Sequence, residues 1–146
     1  MSLSRASGIL LHPTSFPSPF GVGDLGQEAY NFVDFLKNSG QKIWQVLPLG
    51  PTGFGNSPYQ AYSAMAGNPL LISPDKLKDE GWLSVRDLSD IPAFPKDQVD
   101  FDLVAQLKSS LLKTAYQNFQ KDTSEEKKET FKTVSYTHLR AHETQQ

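Results

Sequence analysis

Two short apolar runs with a helical pattern between them constrain the fold of this chain more than any other feature. Ile9-Leu10-Leu11, bounded by Gly8 and by His12-Pro13, reads as a strand, and Ile43-Trp44-Gln45-Val46-Leu47 reads as a second. Between them Leu25, Ala29, Phe32, Val33 and Leu36 recur at helical spacing, which predicts a helix over residues 25–38. Asp24 is placed to cap that helix, and Gly40 stands where a helix ends. The order strand, helix, strand implies a right-handed crossover and a parallel pair. Continuous apolar runs with β-branched residues further predict strands covered on both faces.

Each strand runs into a loop. The first loop, residues 12–23, is rich in Pro, Ser and Gly. The second, within LPLGPTGFGNSPYQAYSAMAGNP (residues 47–69), crowds Gly, Pro, Asn and Ser together with Phe54, Tyr59 and Tyr62. In a parallel sheet the ends of successive strands lie on one face, so residues 12–15 and 48–59 should be neighbours. Loops of this kind, held above a rigid scaffold, make binding surfaces. Neutral groups on Asn56, Ser57 and Gln60 beside aromatic faces suit a polyhydroxylated ligand, whose C–H groups pack on a ring while its hydroxyls are hydrogen-bonded. The alternative is a structural loop packed down by its aromatic residues, and composition alone favours that alternative. No glycine-rich run ends in Lys-Ser or Lys-Thr, so a phosphate-binding loop is not supported. His12 reads as a hydrogen-bonded structural residue at a strand end, and Trp44 as core.

Further on, Ser73-Pro74-Asp75 predicts a capped helix ending near Gly81. Residues 82–98, interrupted by Pro92 and Pro95, read as irregular. Asp100 or Asp102 would cap a longer helix with Leu103, Leu107, Leu111, Ala115 and Phe119 on one face. Thr123-Ser124-Glu125-Glu126 fits a capping box for one more, with Thr123 as the cap. VSYTHLRAHET, residues 134–144, resembles the translation of a transposon-end sequencing adapter. The expected organisation is therefore residues 1–133 as one unit and 134–146 as a non-native, disordered tail. His138 and His142 in that tail have the i, i+4 spacing of a metal pair but lack a third ligand, so no metal site is expected.

With 14 Lys+Arg against 16 Asp+Glu the chain carries a formal charge of −2, which gives no reason to expect nucleic acid or an anionic membrane as partner. It has no cysteine, so disulfides and thiolate metal sites are excluded. The apolar run at residues 8–11 is too short for a signal-peptide core, and no run approaches a membrane span. The expected location is the cytoplasm. Asp24, Asp34, Asp75 and Asp100 read as caps or solvated helix faces, so no acid/base pair for glycoside chemistry is found.

GILLHPTSFPSPFGVGDLG (residues 8–26), IWQVLPLGPTGFGNSPYQAYSAMAGNPLLIS (residues 43–73) and the spacing between them closely resemble the start of the 4-α-glucanotransferases, or amylomaltases. The resemblance runs from Ser4 to about Lys132. It implies an α/β fold: the start of a (β/α)8 TIM barrel, with the first two βα units plus a helical insert, incomplete in this chain. It implies transfer of an α-1,4-glucan segment to another glucan or to glucose by a retaining, two-carboxylate mechanism without a cofactor. Ser57 and Tyr59 match positions that contact the glucan near the point of cleavage. Phe54 matches a position, often tyrosine, linked to a second glucan site; without the hydroxyl only the ring's stacking role remains. Asn56 stands where some members have Asp. The family's catalytic carboxylates belong to later strands, so no catalytic residue is expected here. The isolated chain is expected to be inactive and prone to aggregation, because two bare strands leave sheet edges open. The competing expectations are a hydrolytic α-amylase fragment, a non-catalytic glucan-binding module, and an interaction helix pair within residues 102–132.

Overall fold

The computed structural model describes residues 5–135 apart from 54, 62, 64, 65 and 123, with the backbone alone at 122, 134 and 135. Strand β1 (Gly8–Leu10) and strand β2 (Ile43–Gln45) pair in parallel, with Gly8 opposite Ile43, Ile9 opposite Trp44 and Leu10 opposite Gln45. Helix α1 (Gln27–Asn38) connects them, as the apolar spacing predicts. Strand β1 is shifted from its apolar run and β2 is shorter than its own. Strand β1 starts one residue early and β2 stops at Gln45, before Val46 and Leu47. Each strand can extend only as far as it has a partner. The Leu11 amide still donates to Gln45 O at 3.0 Å, and the Lys42 amide to Ser7 O at 3.0 Å.

The expectation that both faces of this pair are covered does not hold within the described residues. Ile9 and Trp44 are half-buried, while Leu10 and Ile43 on the other face are about half exposed. The covered face meets Phe16 and Phe32, whose ring centroids lie 5.9 and 5.2 Å from the Trp44 ring. Trp44 Nε1 donates to Leu11 O at 2.8 Å, so its one polar atom is satisfied inside an aromatic cluster.

Helix α1 ends as the glycine signal predicts. Gly40 sits at φ +72°, its amide bonds to Lys37 O, and the Gln41 amide bonds to Leu36 O. That pair of bonds satisfies two carbonyls of the last turn of the helix. The start of α1 departs from expectation. Gly26 occupies the cap position with no side-chain bond, Leu25 lies outside the helix and exposed, and Asp24 is buried elsewhere.

The remaining helices are α2 (Pro74–Asp79), α3 (Phe101–Asp122) and α4 (Glu125–Ser135). Ser73 caps α2, its hydroxyl accepting from the Lys76 amide, and Asp100 caps α3, accepting from the Leu103 amide at 3.0 Å. Residues 82–98 are irregular apart from one 3₁₀ turn, Arg86–Leu88. The Thr123 cap lies outside the described residues; Ser124 accepts from the Lys127 amide at 3.4 Å. Helix α4 continues two residues beyond the expected boundary at 133, and His138 and His142 lie outside the described residues.

A small core forms where α2 and the 82–88 segment meet α3, built on Leu83, Leu111 and Ala115 with Leu77, Trp82, Leu88 and Leu107 around them. Leu111 and Ala115 of the expected row are buried and Leu107 packs against them, but toward the start of α3 the buried positions are Val104 and Lys108 rather than Leu103. Successive steps of four residues drift about 40° each around a helix, whereas alternating steps of four and three stay on one face.

Candidate functional site

The two strand-end loops do meet. The imidazole of His12 caps the 3₁₀ turn Pro13–Ser15, its Nδ1 accepting from the Thr14 hydroxyl at 2.7 Å and from the Thr14 amide at 3.4 Å. Its Nε2 reaches Pro48 O, at the start of the second loop, at 3.4 Å. A carbonyl only accepts, so these contacts fit the neutral tautomer with its proton on Nε2. Nδ1 thereby fixes the turn of the first loop and Nε2 ties that loop to the second, which matches the structural reading of His12.

The second loop is tied together from within. Thr52 and Ala61 form an isolated antiparallel bridge, and the Gly53 amide donates to Gln60 O at 2.9 Å. Inside this bridge the Asn56 amide donates to Gly53 O, and the Gln60 amide to Ser57 O, which closes the 3₁₀ turn Pro58–Gln60. Asn56 sits at φ +54°, a left-handed conformation that asparagine tolerates better than most side chains. The base is cinched as well. Gly50 is buried so closely that a Cβ there would lie 2.5 Å from Ser63 O, and the Asn68 side-chain amide donates to Gly50 O at 3.3 Å.

On this frame the expected site residues fall as follows. Tyr59 is 74% exposed, Asn56 is exposed and Ser57 is half-buried. Phe54 and Tyr62 lie outside the described residues. A loop packed down by its aromatic residues would bury the Tyr59 ring; here the backbone bonds hold the loop and leave the ring to solvent. Two concavities, of about 630 and 460 Å³, lie along residues 14–23 and 92–99 and around Pro17, Asp24 and Ser73. Neither is lined by Ser57 or Tyr59. Among the described residues no group of three His, Asp or Glu is placed to hold a metal, and no helix is long and apolar enough to cross a membrane.

One residue absent from the sequence-based site is Lys108. Its ammonium donates to Asp24 Oδ2 at 3.1 Å, Leu70 O at 2.7 Å and Ile72 O at 2.9 Å, and its side chain is 1% exposed. Three donors meet three acceptors, so the buried charge is fully satisfied. Burial pushes its pKa below the usual lysine value, while the Asp24 carboxylate opposes that shift. Asp24 is thus not the cap of α1: one oxygen holds Lys108 and the other accepts from the Gly26 amide at 3.0 Å. The available signal was the position of Lys108 four residues after Val104 and three before Leu111, on the buried stripe.

The family model described as 4-alpha-glucanotransferase matches residues 11–142. The chain is 56% identical over 115 residues to a 4-alpha-glucanotransferase of Synechocystis, a match covering 79% of this chain and 23% of that one. It is 50% identical over 131 residues to the Thermus thermophilus 4-alpha-glucanotransferase, covering 90% of this chain and 25% of that protein. Among solved structures, the amylomaltase from Streptococcus agalactiae in complex with acarbose superposes with a TM-score of 0.83 at 41% identity, over 92% of this chain and 27% of that one. The chain therefore spans about a quarter of the length of these relatives.

Proposed function

The chain belongs to the 4-alpha-glucanotransferase family, and from that premise we propose that it forms the glucan-holding side of an active site within a longer protein. The observation that carries this is the exposed Tyr59 ring on a loop whose own backbone bonds fix its shape. The reading takes β1, α1 and β2 as the first units of a (β/α)8 barrel. Parallel strands whose following loops meet at His12 and Pro48 support it, since barrel enzymes bind substrate at that end. Tyr59 offers a ring face to a glucose unit, Ser57 a hydroxyl, and Asn56 a neutral amide. The Phe54 ring serves a second stacking position.

The ligand class is an α-1,4-glucan, with another glucan or glucose as acceptor. Acarbose, bound by the Streptococcus agalactiae amylomaltase, is the corresponding probe. A retaining transfer needs two carboxylates about 5–5.5 Å apart, one as nucleophile and one as acid/base. Four of the described acids have structural partners: Asp24 pairs with Lys108, Asp75 with Lys78, Asp87 with Ser84, and Asp100 caps a helix. The reacting carboxylates then come from the rest of the longer protein, and this segment supplies binding and orientation.

The test is a full-length chimera in which this chain replaces the segment it matches in the Synechocystis relative. Acarbose titrated against it should bind, and Tyr59→Ala should weaken binding about tenfold through loss of the ring contact. Ser57→Ala should weaken it about fivefold through loss of one hydrogen bond. Unchanged affinity in a folded Tyr59→Ala chimera would overturn the assignment.

A further inference from the structure

The geometry points to Lys108 as a positioning residue that sets the glucan loop from the helical insert, a role that rests on the function proposed above. Lys108 is on α3 and far in sequence from either strand-end loop, yet its ammonium lies where both loops end. Asp24 closes the first loop and leads into α1. Leu70 and Ile72 close the second, and the Leu25 amide donates to Leu71 O at 2.9 Å, so the two loop ends are also bonded to each other there.

From that point a continuous relay leads to the base of the loop that carries Ser57 and Tyr59. Leu70 accepts from Lys108 through its carbonyl, and its amide donates to Asn68 Oδ1 at 3.0 Å. The other end of the Asn68 amide group donates to Gly50 O at 3.3 Å. Gly50 is packed against Ser63 and Ala61, where the bridged segment 52–61 begins and ends. Each step is a hydrogen bond or a close backbone contact. An apolar side chain at 108 could fill the space, but it could not hold two carbonyls and a carboxylate in one fixed arrangement. A carboxylate and two carbonyls converging on one point repel each other unless a cation stands between them, so Lys108 sets their spacing.

The consequence for function is specific. Lys108 is buried, out of reach of a ligand in solvent, so it alters how well the loop is placed to hold glucan and leaves the reacting groups unchanged. Loss of such positioning appears as weaker ground-state binding, that is, a raised KM with kcat nearly constant.

Two variants of the chimera test this with maltotriose as substrate. Asp24→Asn/Lys108→Met removes the cation without stranding a buried charge, and Asn68→Ala cuts the relay while leaving the ion pair intact. Both should raise KM about tenfold and leave kcat within about twofold. A purely structural role predicts something else: the folded fraction falls, and whatever folds has normal KM. Normal KM in folded Asn68→Ala, or a loss carried by kcat alone, overturns the inference while leaving the proposed function standing. An unsubstituted chimera that folds but neither binds nor transfers glucan removes the proposed function, and this inference with it.

Discussion

A methyl group added at Gly23 has nowhere to go. An alanine Cβ there would lie 2.6 Å from the Phe16 amide nitrogen, 2.7 Å from Phe16 O, and closer still to Pro13 O. Ordinary contact begins near 3.4 Å, and all three neighbours are backbone atoms that cannot rotate aside. The 3₁₀ turn Pro13–Ser15 must shift by roughly an ångström, taking with it the His12 cap and its reach to Pro48. Overpacking of this kind costs about 1–3 kcal/mol, and a rigid turn puts Gly23→Ala at the upper end. Two other glycines calibrate the effect. Gly40 has open space around a Cβ but sits at φ +72°, so Gly40→Ala bears only the left-handed strain of about 1–2 kcal/mol. Gly67 has open space and lies outside the left-handed region, so Gly67→Ala should stabilise by about 0.4–1 kcal/mol through the unfolded chain. Thermal unfolding of the chimera should therefore rank Gly67→Ala highest, the unsubstituted protein next, then Gly40→Ala, and Gly23→Ala lowest. Gly23→Ala melting at or above Gly40→Ala would refute the described packing of the first loop.

Three further outcomes follow from the same contacts. Trp44→Phe keeps a ring in the cluster with Phe16 and Phe32 but strands Leu11 O. It should cost about 1–2 kcal/mol, read as a lower chimera melting temperature, and an unchanged one would contradict the bond. Ile43→Lys should have opposite effects in two settings. Light scattering should show less aggregation of the 146-residue chain, where Ile43 is 48% exposed, while the chimera should lose soluble yield if, as in the barrel proposed above, further segments cover that face. For Lys108, whose folded pKa is lowered, the native state releases its proton before the unfolded chain does. Between that lowered value and the ordinary 10.5, the stability of the unsubstituted chimera relative to Lys108→Met should rise with pH, and below the window it should stay level. A relative fall through that window contradicts the shift.

What could be read in advance follows the range of the forces involved. The caps at Ser73 and Asp100 and the stop at Gly40 act within a few residues, and each appears where its local pattern places it. The parallel pair is also legible, because an apolar run, a helical pattern and a second run leave few topologies. The strand ends are not, because Val46 and Leu47 extend a strand only where a partner is present. Asp24 illustrates the main limit. Its local context is that of a helix cap, but the residue it binds is 84 positions away, and nothing in residues 20–30 announces a buried lysine. Composition alone favours a merely structural loop at 47–69. Its backbone bonds and the exposure of Tyr59 favour a binding surface, and both depend on three-dimensional closure that residue types do not encode.

If this segment holds glucan as part of a glucanotransferase active site, a chimera that carries it transfers glucan. Incubated with maltotriose and labelled glucose, the chimera should move label into maltooligosaccharides at a rate within about tenfold of the Synechocystis parent, as expected when binding groups are matched and the reacting carboxylates are untouched. A chimera that is soluble and folded, yet leaves all label in glucose under conditions where the parent transfers it, would contradict the account.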